Sequence, residues 1–155
     1  MIEAYLDRGR GQSHLRQPEF AKLVQDNFRL FSEECCGSQS GGPEQAVRYE
    51  LRAWVVMPNH VHVLFKVGAV SMADIVGAWK KNTGRLANKL LGKQGAFWAE
   101  DYFDTYMRDA EHESRTRQYI ENNPTKAKLA ASPKEWLWSS ARFRDCYERL
   151  CIPAT

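Results

Sequence analysis

The stretch from residue 54 to residue 65 constrains the fold more than any other part of this sequence. It begins in a segment rich in β-branched and aromatic residues, and the tripeptide Met57-Pro-Asn59 is typical of a turn, so we predict a β-hairpin. Side chains alternate between the two faces of a strand. The second strand therefore points apolar residues 61, 63 and 65 to one face and both His60 and His62 to the other.

This histidine pair indicates the start of a metal site. Neutral imidazole binds divalent cations, and two imidazoles on the same face of one strand converge on a common point. Two ligands do not complete a site, however. The alternative is that His60 and His62 are ordinary half-buried strand residues with hydrogen-bond partners, and the pair alone does not decide between these interpretations.

Composition indicates a single globular domain spanning residues 1–155. The apolar fraction of 43% and the charged fraction of 26% are ordinary for a soluble protein. The sequence contains no apolar stretch long enough for a spanning helix and no signal peptide, which predicts a cytoplasmic protein without a membrane partner. No two cysteines have the spacing of a zinc or redox site, so we expect reduced thiols at Cys35, Cys36, Cys146 and Cys151.

Periodicity places the other elements around the hairpin. Apolar residues recur at helical spacing in two segments, and Ser71 is a typical helix cap. The predicted elements are a helix from Pro18 to about Glu34, the hairpin over residues 48–67, a helix from Ser71 to about Leu91, a strand from Tyr102 to Arg108, and a helix from Ala110 to Asn123 that Pro124 closes. This order predicts an α+β fold in which helices cover an antiparallel sheet.

The last predicted helix supplies what the hairpin lacks. Arg115, Tyr119 and Asn123 are four residues apart and share one face. The amide oxygen of Asn123 would be a third ligand, and a site of two imidazoles and one amide with open positions favours Mg²⁺ or Mn²⁺. Tyr119 would then be a nucleophile, although a phenol with a pKa of about 10 needs its charge stabilised. The alternative is a packed tyrosine with a satisfied hydroxyl.

These motifs in combination closely resemble those of the HUH single-tyrosine transposases, in particular the REP-associated branch of the IS200-like family. The two main motifs are residues 54–64 and Tyr119 to Pro124. Supporting similarity occurs at Leu6 to Gly9, Phe97-Trp98, Tyr102 to Asp104 and Trp138 to Ser140. The resemblance covers the chain from Tyr5 to about Arg142.

The resemblance implies a ferredoxin-like core, a divalent metal and a single-stranded DNA substrate, often with a hairpin. Members cut DNA by attack of the tyrosine on a backbone phosphodiester, which leaves a 5′-phosphotyrosine and a free 3′-hydroxyl. By this resemblance Tyr119 is the nucleophile, His60 and His62 are metal ligands, and Asn123 is the third ligand. Some related enzymes exchange the tyrosine helix across a dimer, so both a monomer and a homodimer remain open.

The chain departs from the family pattern near residue 5. Members usually have an additional aromatic, strand-forming segment ahead of the part that matches Tyr5 to Gly9, whereas only residues 1–4 precede it here. We therefore expect that the sheet lacks its usual first strand, which leaves an unpaired position beside the histidine strand unless another segment or chain fills it.

DNA binding requires a cationic path and aromatic platforms. Lys81, Arg85 and Lys89 form one row on the second long helix, which is a solvated face unless the metal site opens beside it. The candidate cations are Lys80, Lys81, Arg85, Lys89, Arg108, Arg115, Arg117, Lys126 and Lys128. The candidate platforms are Trp79, Trp98, Tyr102 and Trp138, for which core packing is the alternative.

Three functions remain open at this point. The leading hypothesis is a metal-dependent enzyme that nicks and rejoins single-stranded DNA through Tyr119. The second is a catalytically silent DNA-binding module derived from such an enzyme, which the expected loss of a strand would favour. The third is a phosphodiesterase in which a metal activates water and Tyr119 is structural.

Overall fold

The computed structural model describes residues 2–7, 14–30, 32, 49–100 and 102–153. Its strands and long helices are β1 (Ile2–Asp7), α1 (Pro18–Leu30), β2 (Tyr49–Val56), β3 (His60–Val67), α2 (Met72–Leu91), β4 (Tyr102–Tyr106) and α3 (Ala110–Lys126). The expectations for Cys35 and Cys36 lie outside the described residues. Among the helices described, none is both long and apolar enough to cross a membrane.

The four strands form one antiparallel sheet in the order β2-β3-β1-β4. The chain order strand, helix, strand, strand, helix, strand is that of a ferredoxin-like fold, so the predicted fold class is confirmed. The expectation of a missing first strand is wrong. Residues 2–7 themselves form β1, which pairs with β3 along its whole length and places Tyr5 opposite His62. At about 3.3 Å per residue, these six residues are long enough to pair with most of β3.

The two faces of the sheet have different partners. Val61 and Phe65 of β3 belong to the main hydrophobic core with α1 and α2, where Trp79 is buried. On the opposite face, Leu64 packs against Ile120 of α3 in a second, smaller cluster. The alternation expected for β3 is therefore present. Its consequence is that the histidines share a face with α3, whereas α1 and α2 lie on the other side of the sheet.

Helix α2 agrees with the sequence at both ends. The side chain of Ser71 accepts a hydrogen bond from the backbone N–H of Asp74, and Gly92 ends the helix at a φ of 61°. That left-handed conformation suits glycine, which has no Cβ. Helix α1 was expected to continue to about Glu34, but its described part ends at Leu30.

Helix α3 extends to Lys126, two residues beyond the proline that was expected to end it. Pro124 lies within the helix and is buried. A proline removes its own N–H donor, here the one that would reach the carbonyl of Ile120, and its ring crowds that carbonyl, but its φ is compatible with a helix. The backbone N–H of Ala127 still donates to Asn123, so the helix ends just after Pro124 rather than before it.

The C-terminal segment covers the outer edge of β2. The backbone N–H of Val56 donates to the carbonyl of Trp138, and the indole N–H of Trp136 donates back to the carbonyl of Val56. Ser140 accepts from the backbone N–H of Trp54. These contacts leave β4 as the edge of the sheet to which no further strand is paired within the described residues.

Candidate active site

An open cleft of about 530 Å³ lies between the sheet and α3. Strands β1, β3 and β4 form its floor, and α3 forms one wall. The side chains that line it are Tyr5, His60, His62, Phe103, Thr105, Tyr119 and Asn123. The four residues predicted from the sequence to carry the chemistry therefore all lie in one cleft, within a single chain.

The two histidines stand next to each other on β3. Their ring centroids are 5.2 Å apart and the rings are nearly perpendicular. His60 Nδ1 lies 2.8 Å from the amide oxygen of Asn59. When Nδ1–H donates to that oxygen, the lone pair is on Nε2, which is the arrangement of a metal-binding histidine whose other nitrogen is held by an acceptor.

Tyr119 reaches the histidines from α3. Its ring meets the His62 ring edge to face at a centroid distance of 5.6 Å, and the residue remains 46% exposed. Asn123 lies one helical turn further along and is partly buried. Lys126 places its ammonium group 5.1 Å from the centroid of the Tyr119 ring. A phosphate bound in the cleft would therefore meet a hydroxyl and a cation from the same helix.

The donors in the cleft are those of an incomplete coordination shell. Over the part of the chain that the structure describes, no group of three His, Cys, Asp or Glu side chains is placed to hold a metal. The cleft instead brings together the imidazoles of His60 and His62 and the carboxamide of Asn123. These residues would hold Mg²⁺ or Mn²⁺ if water or substrate oxygens supplied the remaining ligands.

Tyr5, Phe103 and Thr105 are cleft residues that sequence reasoning missed. The Tyr5 ring is 5.1 Å from His60, 4.9 Å from His62 and 6.1 Å from Phe103, so it links the histidines to β4. Alternation along β4 could have pointed to Phe103 and Thr105, because they face the side of the sheet opposite to Tyr102. It did not suffice, since the sequence does not state which strand lies beside β1.

A buried ionic cluster fixes the other side of α3. Glu121 accepts hydrogen bonds from Ser140 at 2.6 Å and from Arg144 at 2.8 Å. Arg117 lies between Glu121 and Glu148, at 3.5 and 2.8 Å. The hydrogen bond and charge of Arg117 lower the pKa of the Glu148 carboxyl. At the start of α3, the backbone N–H of His112 donates to the Asp109 side chain and lowers its pKa.

Among the candidate DNA-binding cations, Lys126 lies beside Tyr119, whereas the following ones lie away from the cleft. Lys80 donates to the carbonyls of Ala99 and Glu100, and Arg117 belongs to the cluster just described. The row of Lys81, Arg85 and Lys89 is on α2, across the sheet from Tyr119. Arg108 and Arg115 are exposed near the start of α3, where Arg115 pairs with Glu111. A DNA contact by any of these residues stays a prediction.

The candidate aromatic platforms belong mainly to the interior. Trp79 and Trp98 are buried, and the indole N–H groups of both donate to side chains of the core. Trp138 is partly buried and packs on the same core, as does Tyr102. Core packing is therefore the role that the structure gives to these rings.

Comparison with known proteins places the chain among transposases. The family described as transposase IS200-like matches residues 34–123. The chain is similar to the solved structure of a REP-associated tyrosine transposase bound to a REP hairpin, with 17% identity, coverage of 99% of this chain and 84% of that chain, and a TM-score of 0.66. A suspected transposase from Deinococcus radiodurans R1 has 23% identity, coverages of 79% and 89%, and a TM-score of 0.47. No curated protein matches.

Proposed function

Because the chain belongs to the family of IS200-like transposases, we propose that it nicks and rejoins single-stranded DNA with Tyr119 as the nucleophile. The observation that supports this most directly is the contact of Tyr119 with His62 at 5.6 Å, in a cleft shared with His60 and Asn123. A nucleophile beside two side chains that could bind a metal is an arrangement suited to metal-assisted phosphoryl transfer.

The proposed substrate is single-stranded DNA that carries a hairpin. The fold neighbour with a TM-score of 0.66 is a transposase bound to a REP hairpin, which supports the same class of substrate here. The cleft is open, and Tyr119 lies inside it on the side of α3 that faces the sheet. The phosphate must enter the cleft to reach Tyr119, which an unpaired DNA strand allows. Repeated hairpin sequences are therefore the first substrates to test.

The proposed reaction is a transesterification. The Tyr119 oxygen attacks phosphorus, a new O–P bond forms, and the bond from phosphorus to the 3′-oxygen breaks. The electron pair leaves with the 3′-oxygen. The phenol loses its proton to solvent, and the 3′-oxygen takes up a proton to become a hydroxyl. One ester replaces another, so the reverse reaction rejoins the strand without an external energy source.

His60, His62 and Asn123 are the proposed ligands of Mg²⁺ or Mn²⁺. Such a cation, when bound, supplies polarisation of the phosphate and stabilisation of its added negative charge. Asn59 holds His60 in the orientation for ligation. Lys126 is positioned to attract the substrate phosphate towards Tyr119.

The first experiment tests the nucleophile. Purified protein is incubated with hairpin-bearing, 5′- and 3′-labelled oligonucleotides and Mg²⁺ or Mn²⁺, and covalent adducts are separated under denaturing conditions. We expect the wild type to retain the fragment on the 3′ side of the cut through its 5′-phosphate, and Tyr119→Phe to form no adduct while DNA affinity persists. Tyr147→Phe is the matched control, because Tyr147 is highly exposed and lies outside the cleft.

The outcomes separate the three functions. Adduct formation by Tyr119→Phe would refute the proposal. Hydrolysis that survives this substitution would indicate a phosphodiesterase that uses water. Salt-sensitive binding without any cleavage by the wild type would indicate a silent DNA-binding module. The expected loss of a strand was the main argument for a silent module, but β1 occupies that position in the sheet.

A further inference from the structure

Phe103 is an exposed aromatic residue at the rim of the cleft. It lies on β4, it is 70% exposed, and its ring is one of the side chains that line the site. Burying a phenylalanine side chain is worth about 1.5–3 kcal/mol, so an exposed one forgoes this stabilisation. Because the exposed ring lies at the rim of the proposed active site and not on a remote surface, it could contact a bound substrate.

The surroundings of Phe103 leave one side of its ring accessible. The Tyr5 ring lies 6.1 Å away on the inner side, and Tyr5 in turn contacts both histidines. On the outer side β4 is the edge of the sheet, and no strand is paired beyond it among the described residues. A planar ring that enters the cleft from solvent can therefore stack on the accessible side of Phe103.

We propose that Phe103 stacks on an unpaired base of the DNA substrate, at a nucleotide close to the cleaved phosphate. This inference rests on the proposed function, since it assigns a substrate contact to the same cleft. The Tyr5 ring lies 6.1 Å from Phe103 and 4.9 Å from His62, which limits the distance along the DNA between the stacked base and the cleaved phosphate. Every base has a π-face, and aromatic stacking is a usual way to hold single-stranded DNA.

A base is a better partner than a second protein chain for a local reason. An interface between edge strands would pair the backbone of β4 and bring side chains of both its faces beside the partner, including Tyr106, which is 64% exposed on the face opposite to the cleft. Stacking of a base in the cleft uses Phe103 alone. The two aromatic residues of one strand thus provide a test residue and a matched control of similar exposure.

The experiment measures binding without cleavage. In the Tyr119→Phe background, hairpin oligonucleotides with a single-stranded flank carry 2-aminopurine at one flank position at a time, and affinity is measured by fluorescence anisotropy. We expect Phe103→Leu to weaken binding by roughly 5- to 150-fold, the range of one base stack. Phe103→Tyr should stay within about threefold of the parent, because it keeps the ring, and Tyr106→Leu should bind as the parent does.

The fluorescence identifies the stacked nucleotide. We expect one flank position near the cut to be quenched by the parent and not by Phe103→Leu. Equal affinity and equal quenching in parent and Phe103→Leu would overturn the inference while leaving the proposed function intact. So would equal weakening by Phe103→Leu and Tyr106→Leu. Absence of DNA binding by the parent would overturn the proposed function and this inference together. Circular dichroism checks that each variant is folded.

Discussion

At the residue scale, the register of β1 against β3 decides which side chains meet. Tyr5 is opposite His62, and Asp7 is opposite His60. A slip of one residue along a strand moves every side chain to the other face. The alternation that buries Val61 and Val63 in the main core is therefore the same one that presents both histidines to the cleft.

Metal binding can be tested separately from DNA cleavage. We expect His60→Ala and His62→Ala each to weaken Mn²⁺ binding at least tenfold, because loss of even an outer-shell partner costs about 10- to 100-fold. Electron paramagnetic resonance of free Mn²⁺ measures the affinity of the purified protein without DNA.

The control for this experiment is His112→Ala. His112 is on α3 but is not among the side chains of the cleft, so Mn²⁺ affinity should not change. If all three variants bind Mn²⁺ as the wild type does, the histidine pair is not a metal site.

The sequence predicted the residues whose relationships are local. His60 with His62 follows from alternation along one strand, and Tyr119 with Asn123 follows from one turn of helix. Tyr5 and Phe103 were missed because they reach the site through pairing of β1 with β3 and β4. Pairing between strands distant in sequence is a tertiary property, and periodicity does not report it.

At the element scale, α3 must be held firmly because it carries the proposed nucleophile. One side of the helix rests on Leu64 through Ile120. The other side is held to the C-terminal segment by Glu121, whose carboxylate accepts hydrogen bonds from Ser140 and Arg144. Glu121 is two residues from Tyr119, so this attachment and the nucleophile are on nearly opposite sides of the same turn.

Helix boundaries show how far local signals extend. The start of α2 at Ser71 and its end at about Leu91 were both predicted, and both are confirmed. The end of α3 was predicted wrongly at Pro124. The rule that proline ends a helix reflects one lost donor and a steric clash. Here the lost donor falls in the last turn and the ring is buried, so the helix tolerates it.

The buried attachment of α3 predicts a large loss of stability when Arg144 is replaced. The side chains of Arg144 and Glu121 are only 7% and 9% exposed, so Arg144→Leu leaves a buried carboxylate without its main partner. We expect the free energy of unfolding to fall by about 3 kcal/mol, the lower end of the range for such a loss, since Arg117 remains 3.5 Å from Glu121. Urea denaturation measures the change.

Arg149→Leu is the matched control, because Arg149 belongs to the same segment, pairs with Asp145 and has a side chain that is 71% exposed. We expect little change in the free energy of unfolding. Equal destabilisation by the two substitutions would show that the charge of the segment, rather than the buried pair, stabilises the protein.

At the scale of the whole molecule, the main hydrophobic core and the candidate active site lie on opposite faces of the sheet. One face holds the main core under α1 and α2, and the other holds the cleft under α3. Substitutions in the cleft therefore leave most of the hydrophobic core intact. From the sequence, the α2 cations were a solvated face unless the metal site opened beside them, and the fold places their helix across the sheet from Tyr119.

The same arrangement predicts that one chain contains a whole active site. His62 and Tyr119 of a single chain are in ring contact, so we expect Tyr119→Phe and His62→Ala to be inactive and a one-to-one mixture of them to stay inactive. Adduct formation is measured over a range of protein concentrations, and analytical ultracentrifugation reports the oligomeric state at each. Mixtures of either variant with wild type are controls and should retain adduct formation. Recovery of activity in the mixture of the two variants would require that α3 of one chain serves the histidines of another, because only such an exchange joins an intact tyrosine to an intact pair.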